Sequence, residues 1–159
     1  MADDITNLNP LAYQPVSFHY KPFYFRTWEL VPKETYQQFD DNSIMFFPAN
    51  ALRMLDRLRD FLGVPIIINN WHEGGNYEYS GLRPISCKVG SEYSQHRLGQ
   101  AFDIKPLRML IGDAFKMIMD NQSDDRLDYI TAIEDISYTP TWLHVGCPNL
   151  PDRIRIVKP

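Results

Sequence analysis

Cysteine is nearly absent. Cys87 and Cys147 are the only two among 159 residues, too few for a disulfide framework and without the paired spacing of a thiolate zinc site. Both are expected to be ordinary thiols. There is no Lys/Arg run, and the formal net charge is -4, which argues against a partner bound by neutralising nucleic-acid phosphates. No apolar stretch approaches the roughly 18 to 20 residues needed to cross a bilayer. The polar start Met1-Ala2-Asp3-Asp4 lacks the basic and apolar regions of a signal peptide. The expectation is therefore a soluble chain made in the cytoplasm without a signal peptide. Repeats and low-complexity tracts are also missing, which excludes solenoids and arrays.

A hydrophobic content of 44% over 159 residues is the scale of one globular domain with its own core. Pro and Asn between residues 7 and 15 predict an irregular N-terminal arm over 1–16, leaving the domain proper over 17–159. Aromatic and β-branched residues crowd 18–30, but Pro22 limits this run to an edge strand or an extended segment. Leu52, Leu55, Leu58 and Leu62 recur at helical spacing with charged residues between them and Gly63 after them, predicting a helix over 49–62. The β-branched run 64–68 reads as a core strand that tolerates Pro65 near its start.

Residues 69–94 turn to Gly, Asn, Tyr and Ser, and a connection that long is usually functional or disordered. A second helix is predicted over 107–119. Runs 129–134 and 141–147 read as strands joined by a long hairpin connection over 135–140, and 154–157 alternates like one more strand. Without a strict βαβ order, these elements predict an α+β domain whose central sheet is mostly antiparallel and flanked by helices.

Chemistry-bearing side chains concentrate in Ser94-Gln95-His96-Arg97-Leu98-Gly99-Gln100-Ala101-Phe102-Asp103 and in Trp142-Leu143-His144-Val145-Gly146. Imidazole nitrogen and carboxylate oxygen are good zinc ligands, and three of them leave a fourth position for water or substrate, the layout of a catalytic site. Gly99 and Ala101 allow a close turn, so that a loop histidine and a strand carboxylate can converge. Alternation puts Leu143 and Val145 on one strand face and His144 on the other. Spacing alone does not decide between metal binding and two histidines with an unrelated aspartate.

The pattern Ser-x-His-x-x-Gly-x-Ala-x-Asp at 94–103, followed by Trp-x-His-Val at 142–145, resembles the M15 family of zinc D,D-peptidases. Upstream, a helix, then Leu62-Gly63-Val64-Pro65-Ile66, then Ser80-Gly81-Leu82-Arg83 is similar to that family's order of helix, strand and Ser-Gly-Tyr-Arg. Tyr24-Phe25 to Glu29-Leu30 resembles the short N-terminal segment of phage-type members. The resemblance covers the chain from about Tyr24 to Cys147 and implies the fold shared with the hedgehog signalling domain. It implies one zinc ion and a peptidoglycan substrate, cut either as a D-Ala-D-Ala carboxypeptidase or as an endolysin-type endopeptidase. A phage-encoded protein released at lysis, or carried in the virion, would suit it.

Carried over residue by residue, the resemblance makes His96, Asp103 and His144 the metal ligands and assigns Arg83 to the substrate carboxylate or the developing oxyanion. A permanently charged planar fork suits either task, although a surface salt bridge is the plain alternative. Ser94 and Trp142 are the further expected substrate contacts, Ser94 having an equal claim to a loop-capping role. Many relatives carry an acid three residues before the last histidine, where this chain has Thr141. Phage-type relatives instead end the preceding strand with it, which implies Glu134 as general base, with Asp135 adjacent as the other candidate. Both acids are also ordinary residues of a polar turn. His72 and Glu73 could contact substrate from the long loop, with a solvent-facing position the safer expectation, and His19 has no partner motif. The different reading is a non-catalytic zinc-binding structural or assembly module of a phage particle with the same fold.

Overall fold

Apolar spacing accounts for the main helices. In the computed structural model, which describes residues 20–148 and 154–158, a short helix α1 (Lys33–Phe39) precedes α2 (Ala49–Leu62). In α2 the four predicted leucines are buried together with Ala51 and Met54, and at roughly 1.5 to 3 kcal/mol per buried large side chain this row is the main anchor of the helix. The helix stops at Gly63, whose N–H bonds the Arg59 carbonyl at 3.0 Å.

The sheet has five strands, β1 (Ile66–Ile67), β2 (Ala101–Pro106), β3 (Ala132–Glu134), β4 (Leu143–Gly146) and β5 (Arg155–Val157), in the order β1-β2-β4-β3-β5. Three neighbouring pairs are antiparallel and β3 runs parallel to β5, so the chain is a small α+β domain with a mixed sheet, mostly antiparallel as expected. The third helix, α3 (Ile111–Asp120), packs on β2 and β4. Phe102, Ile104, Ile133, Leu143 and Val145 meet the α2 leucines in one core. Among the described residues no helix is long and apolar enough to cross a membrane.

Several boundaries depart from expectation. The run 64–68 is buried at Ile66 and Ile68 but sits at the sheet edge. Only Ile66 and Ile67 pair, opposite Pro106 and Lys105, as suits a strand entered through proline. The second helix starts at Ile111, not Leu107, because Arg108 takes a left-handed φ of 62° and Leu110 is extended at the N-cap. Residues 20–26 form no strand and lead into a 3-10 turn, Thr27–Glu29. The segment is irregular, with a bend at Phe23–Tyr24, and is held by Asp56 of α2, whose carboxylate accepts from the Tyr20 hydroxyl and the Phe23 and Tyr24 amides. The arm over 1–16 and His19 lie outside the described residues.

Candidate metal centre

Strand register places three polar side chains in a row. Phe102 and Ile104 of β2, Leu143 and Val145 of β4 and Ile133 of β3 point into the core, so period-two alternation sends Asp103, His144 and Glu134 to the other face. Asp103 is directly opposite His144. Ile133 is opposite Val145, and one further step along that register brings Glu134 level with His144. The sheet therefore aligns a carboxylate, an imidazole and a second carboxylate across β2, β4 and β3.

His96 enters the row from a 3-10 turn, Gln95–Leu98, between Ser94 and Gly99. It is 1% exposed, and its Nδ1 lies 2.8 Å from the Gly81 carbonyl. A carbonyl only accepts, so Nδ1 carries the proton and Nε2 presents its lone pair. Gly81 itself is fixed by packing: a Cβ there would strike the Leu30 carbonyl oxygen, which accepts from the Leu82 amide at 2.8 Å. The Ser80-Gly81 segment is further tied to β2 by the Asp103 amide, bonded to the Ser80 carbonyl at 2.7 Å. Lys105 adds to this by donating to the Ser80 hydroxyl at 2.7 Å and the Ile68 carbonyl at 3.3 Å. Burial pulls the Lys105 ammonium down to about 8, against the opposing pull of Asp103.

Three donor atoms converge. His96 Nε2 lies 3.1 Å from His144 Nδ1 and 3.2 Å from Asp103 Oδ1, and His144 Nδ1 is 2.9 Å from that same oxygen. Zinc bonds of roughly 2.0 to 2.1 Å at tetrahedral angles set ligand atoms about 3.3 Å apart, so this triangle is close to one face of such a site. The second oxygen of Asp103 is held by Arg83 Nη2 at 2.8 Å, and Arg83 Nε donates to the Tyr79 carbonyl at 2.8 Å. Burial would raise Asp103, but the hydrogen bond from His144, with the His96 imidazole beside it, outweighs burial and keeps the group ionised well below the usual carboxylate range. Burial also pushes His96 down, toward its neutral form. An ionised carboxylate and a neutral imidazole are the protonation states a divalent cation requires. The buried cluster thus fits a metal ion, and its donor set suits zinc among other borderline cations.

No family model, curated protein or solved structure matches this chain. What the arrangement can do chemically therefore rests on its geometry. The triangle opens onto a cavity of about 510 Å³ whose lining includes Arg83, Ser94, Glu134 and Trp142, so the expected substrate contacts and the expected base share one cleft with the ligands. Glu134 is 8% exposed. Burial and the nearby Asp103 charge raise its carboxyl above its ordinary value, opposed chiefly by the neighbouring His144. Asp135 leaves the cleft: its amide bonds the Val157 carbonyl and its carboxylate accepts from the Ser137 amide. Of the two acids left open by the sequence, Glu134 alone lines the cavity.

His72 and Glu73 occupy a separate turn, Trp71–Glu73, exposed as expected and outside the cleft. Thr141 is exposed and also outside it. The cysteines are free, and burial pushes the Cys147 thiol up to about 11. Sequence reading missed Tyr93, Tyr138, Thr139 and Lys158, which also line the cavity. They come from loops and from the end of β5, where no periodicity marks which residues face inward. Thr139, 4% exposed and without a hydrogen-bond partner for its hydroxyl among the described residues, shows its place in the cleft only in three dimensions.

Proposed function

We propose that the chain is a zinc-dependent peptidase acting on peptidoglycan peptides, either as a D-Ala-D-Ala carboxypeptidase or as an endolysin-type endopeptidase. The observation that carries this reading is a three-donor cluster with an open side facing a cleft that also holds a buried carboxylate of raised pKa. His96, Asp103 and His144 would hold the ion. Bound there, zinc supplies acidity to a water and polarises a carbonyl. Glu134 accepts the proton of the attacking water on a carboxylate oxygen and returns it to the leaving amine, the task for which an elevated carboxylate pKa is suited. Arg83 spends Nε on Tyr79 and Nη2 on Asp103, leaving Nη1 for the oxyanion or a substrate carboxylate. The similarity of residues 94–103 and 142–145 to the M15 peptidases supports the same substrate class.

The competing reading is a zinc-binding structural or assembly module, favoured by Thr141 standing where many M15 relatives carry an acid. Incubation with peptidoglycan and with D-Ala-terminated peptides, with and without a chelator, tests both by mass spectrometry. Chelator-sensitive release of D-Ala or stem-peptide fragments is expected. No cleavage by protein shown to be zinc-loaded would leave the module reading standing.

A further inference from the structure

The connection over residues 84–91 forms one wall of the metal cleft, contributing Val89, Gly90 and Ser91 to its lining. Little in the loop itself explains why it stays in place. Of residues 85–91 only Cys87 is buried, and Ile85 is 92% exposed, so hydrophobic burial supplies almost no anchor. No strand ladder includes it. A side chain from the far side does. Arg97 donates from Nε to the Ser91 carbonyl at 3.2 Å and from Nη1 to the Pro84 and Ile85 carbonyls at 3.2 and 2.8 Å. Its Nη2 reaches the Cys87 carbonyl at 2.7 Å. One guanidinium thus satisfies the start, middle and end of the loop, using a fork that lysine cannot reproduce.

We propose that Arg97 is a positioning residue that pins residues 84–91 as a preformed wall of the cleft, so that substrate meets a fixed surface and no closing lid. Arg97 does not itself line the cleft; it borders a separate groove behind the wall with Phe39, Phe46, Ile85 and Leu98. Its position in the chain, next to His96 in the same 3-10 turn, sets the wall and the metal ligand on one rigid unit. The wall in turn bears on Arg83. Gly90 has a φ of +78° and sits so close that a Cβ there would be 2.6 Å from Arg83 Nη1, the donor not used by Asp103 or Tyr79. A displaced loop would therefore remove the backbone packed beside this nitrogen and widen the cleft without removing a metal ligand.

The pinning stands on geometry alone; its effect on substrate rests on the peptidase reading. Lys88, exposed within the loop, provides a tryptic site that a protease reaches only when the wall opens. With zinc-loaded full-length chain, tryptic cleavage after Lys88 is expected to be slow in the wild type and about tenfold or more faster in Arg97→Gln, as fits the loss of charge-assisted hydrogen bonds. Arg97→Lys, with its charge kept and its fork lost, should resemble Arg97→Gln. Zinc content should stay near one per chain, and KM for a D-Ala-terminated peptide should rise several-fold with kcat within about twofold. Rapid cleavage after Lys88 in the wild type, or an unchanged rate in both variants, overturns the pin, and the wild-type arm stands even if a variant fails to fold. A loosened loop with unchanged KM overturns the wall's role in substrate binding. Absence of any peptide turnover in the wild type would count against the peptidase reading and leave the proteolysis result intact.

Discussion

At the residue scale the decisive contrast is between Asp103 and Glu134, two buried carboxylates on one face of the sheet. Asp103 is surrounded by positive and donating groups and stays ionised, while burial and the Asp103 charge hold the Glu134 carboxyl up. Under the peptidase reading, the first would hold the cation and the second would exchange the proton. Glu134→Gln is expected to keep the metal and the fold and to lower kcat by about 10² to 10⁴-fold, the usual worth of a positioned acid–base group. Zinc stoichiometry and turnover measured on the same sample check this, and an undiminished rate removes Glu134 from the mechanism. Under the peptidase reading Glu134 works ionised, so activity should be present at high pH and fall as pH drops through its titration, which burial pushes up in the ion-free chain and a bound cation pulls back down. In Glu134→Gln that acid limb should vanish from any residual rate. His96→Ala removes the donor whose tautomer is set by Gly81, and elemental analysis should find its zinc content well below that of the wild type.

At the scale of elements, the attachment of residues 20–26 to α2 centres on Asp56, with Arg59 and Asp60 adding hydrogen bonds to Tyr24. Asp56 is 4% exposed and accepts from Tyr20, Phe23 and Tyr24, so Asp56→Ala would leave two backbone donors without their partner. The expected loss is about 3 kcal/mol, on the order of 10 °C in Tm for a chain of this length, read by thermal unfolding. Tyr20 adds a pH dependence: partial burial, the hydrogen bond to Asp56 and its charge push the phenol up to about 12. A raised folded pKa favours the protonated form in the native state, so this contribution is complete below about pH 10 and lost as pH rises toward 12. Tyr20→Phe should flatten that alkaline decline. Neither contact was legible in the sequence, because Asp56 reads as an ordinary polar position between core leucines. The helix over 49–62 was legible to both boundaries, since four leucines and a glycine stop agree. The helix expected from 107 was not, because apolar Leu107 and Leu110 satisfy the helical period while being 42% and 73% exposed in the turn and at the N-cap ahead of the helix. Periodicity reports which residues are apolar, not which of them the fold covers.

At the scale of the whole molecule, the candidate centre joins segments far apart in the chain: a 3-10 turn carrying His96, β2 carrying Asp103 and β4 carrying His144. The ligand residue types and their place on a loop and two strands were legible from the 94–103 and 142–146 runs. The triangle itself was not, because it depends on the Asp103 to His144 register and on Gly81 orienting His96. Convergence of this kind makes metal binding a folding term, since the unfolded chain does not hold the three donors together. A ligand at 1,000 times its Kd stabilises the native state by about 4.1 kcal/mol. Chelation should therefore lower Tm by on the order of 10 °C, and re-addition of zinc should restore it. The chain should nevertheless stay folded without the ion at 25 °C, unlike a zinc finger. Its core spans α2, α3 and the sheet independently of the site, and Asp103 keeps Arg83 as a partner 2.8 Å away when the cation is gone. Circular dichroism of the chelated protein separates the two cases: retained signal with a lowered Tm fits an ion added to a standing fold. Loss of signal at 25 °C would mean that His96, Asp103 and His144 hold the sheet together through the metal, giving the centre a structural role alongside any chemistry.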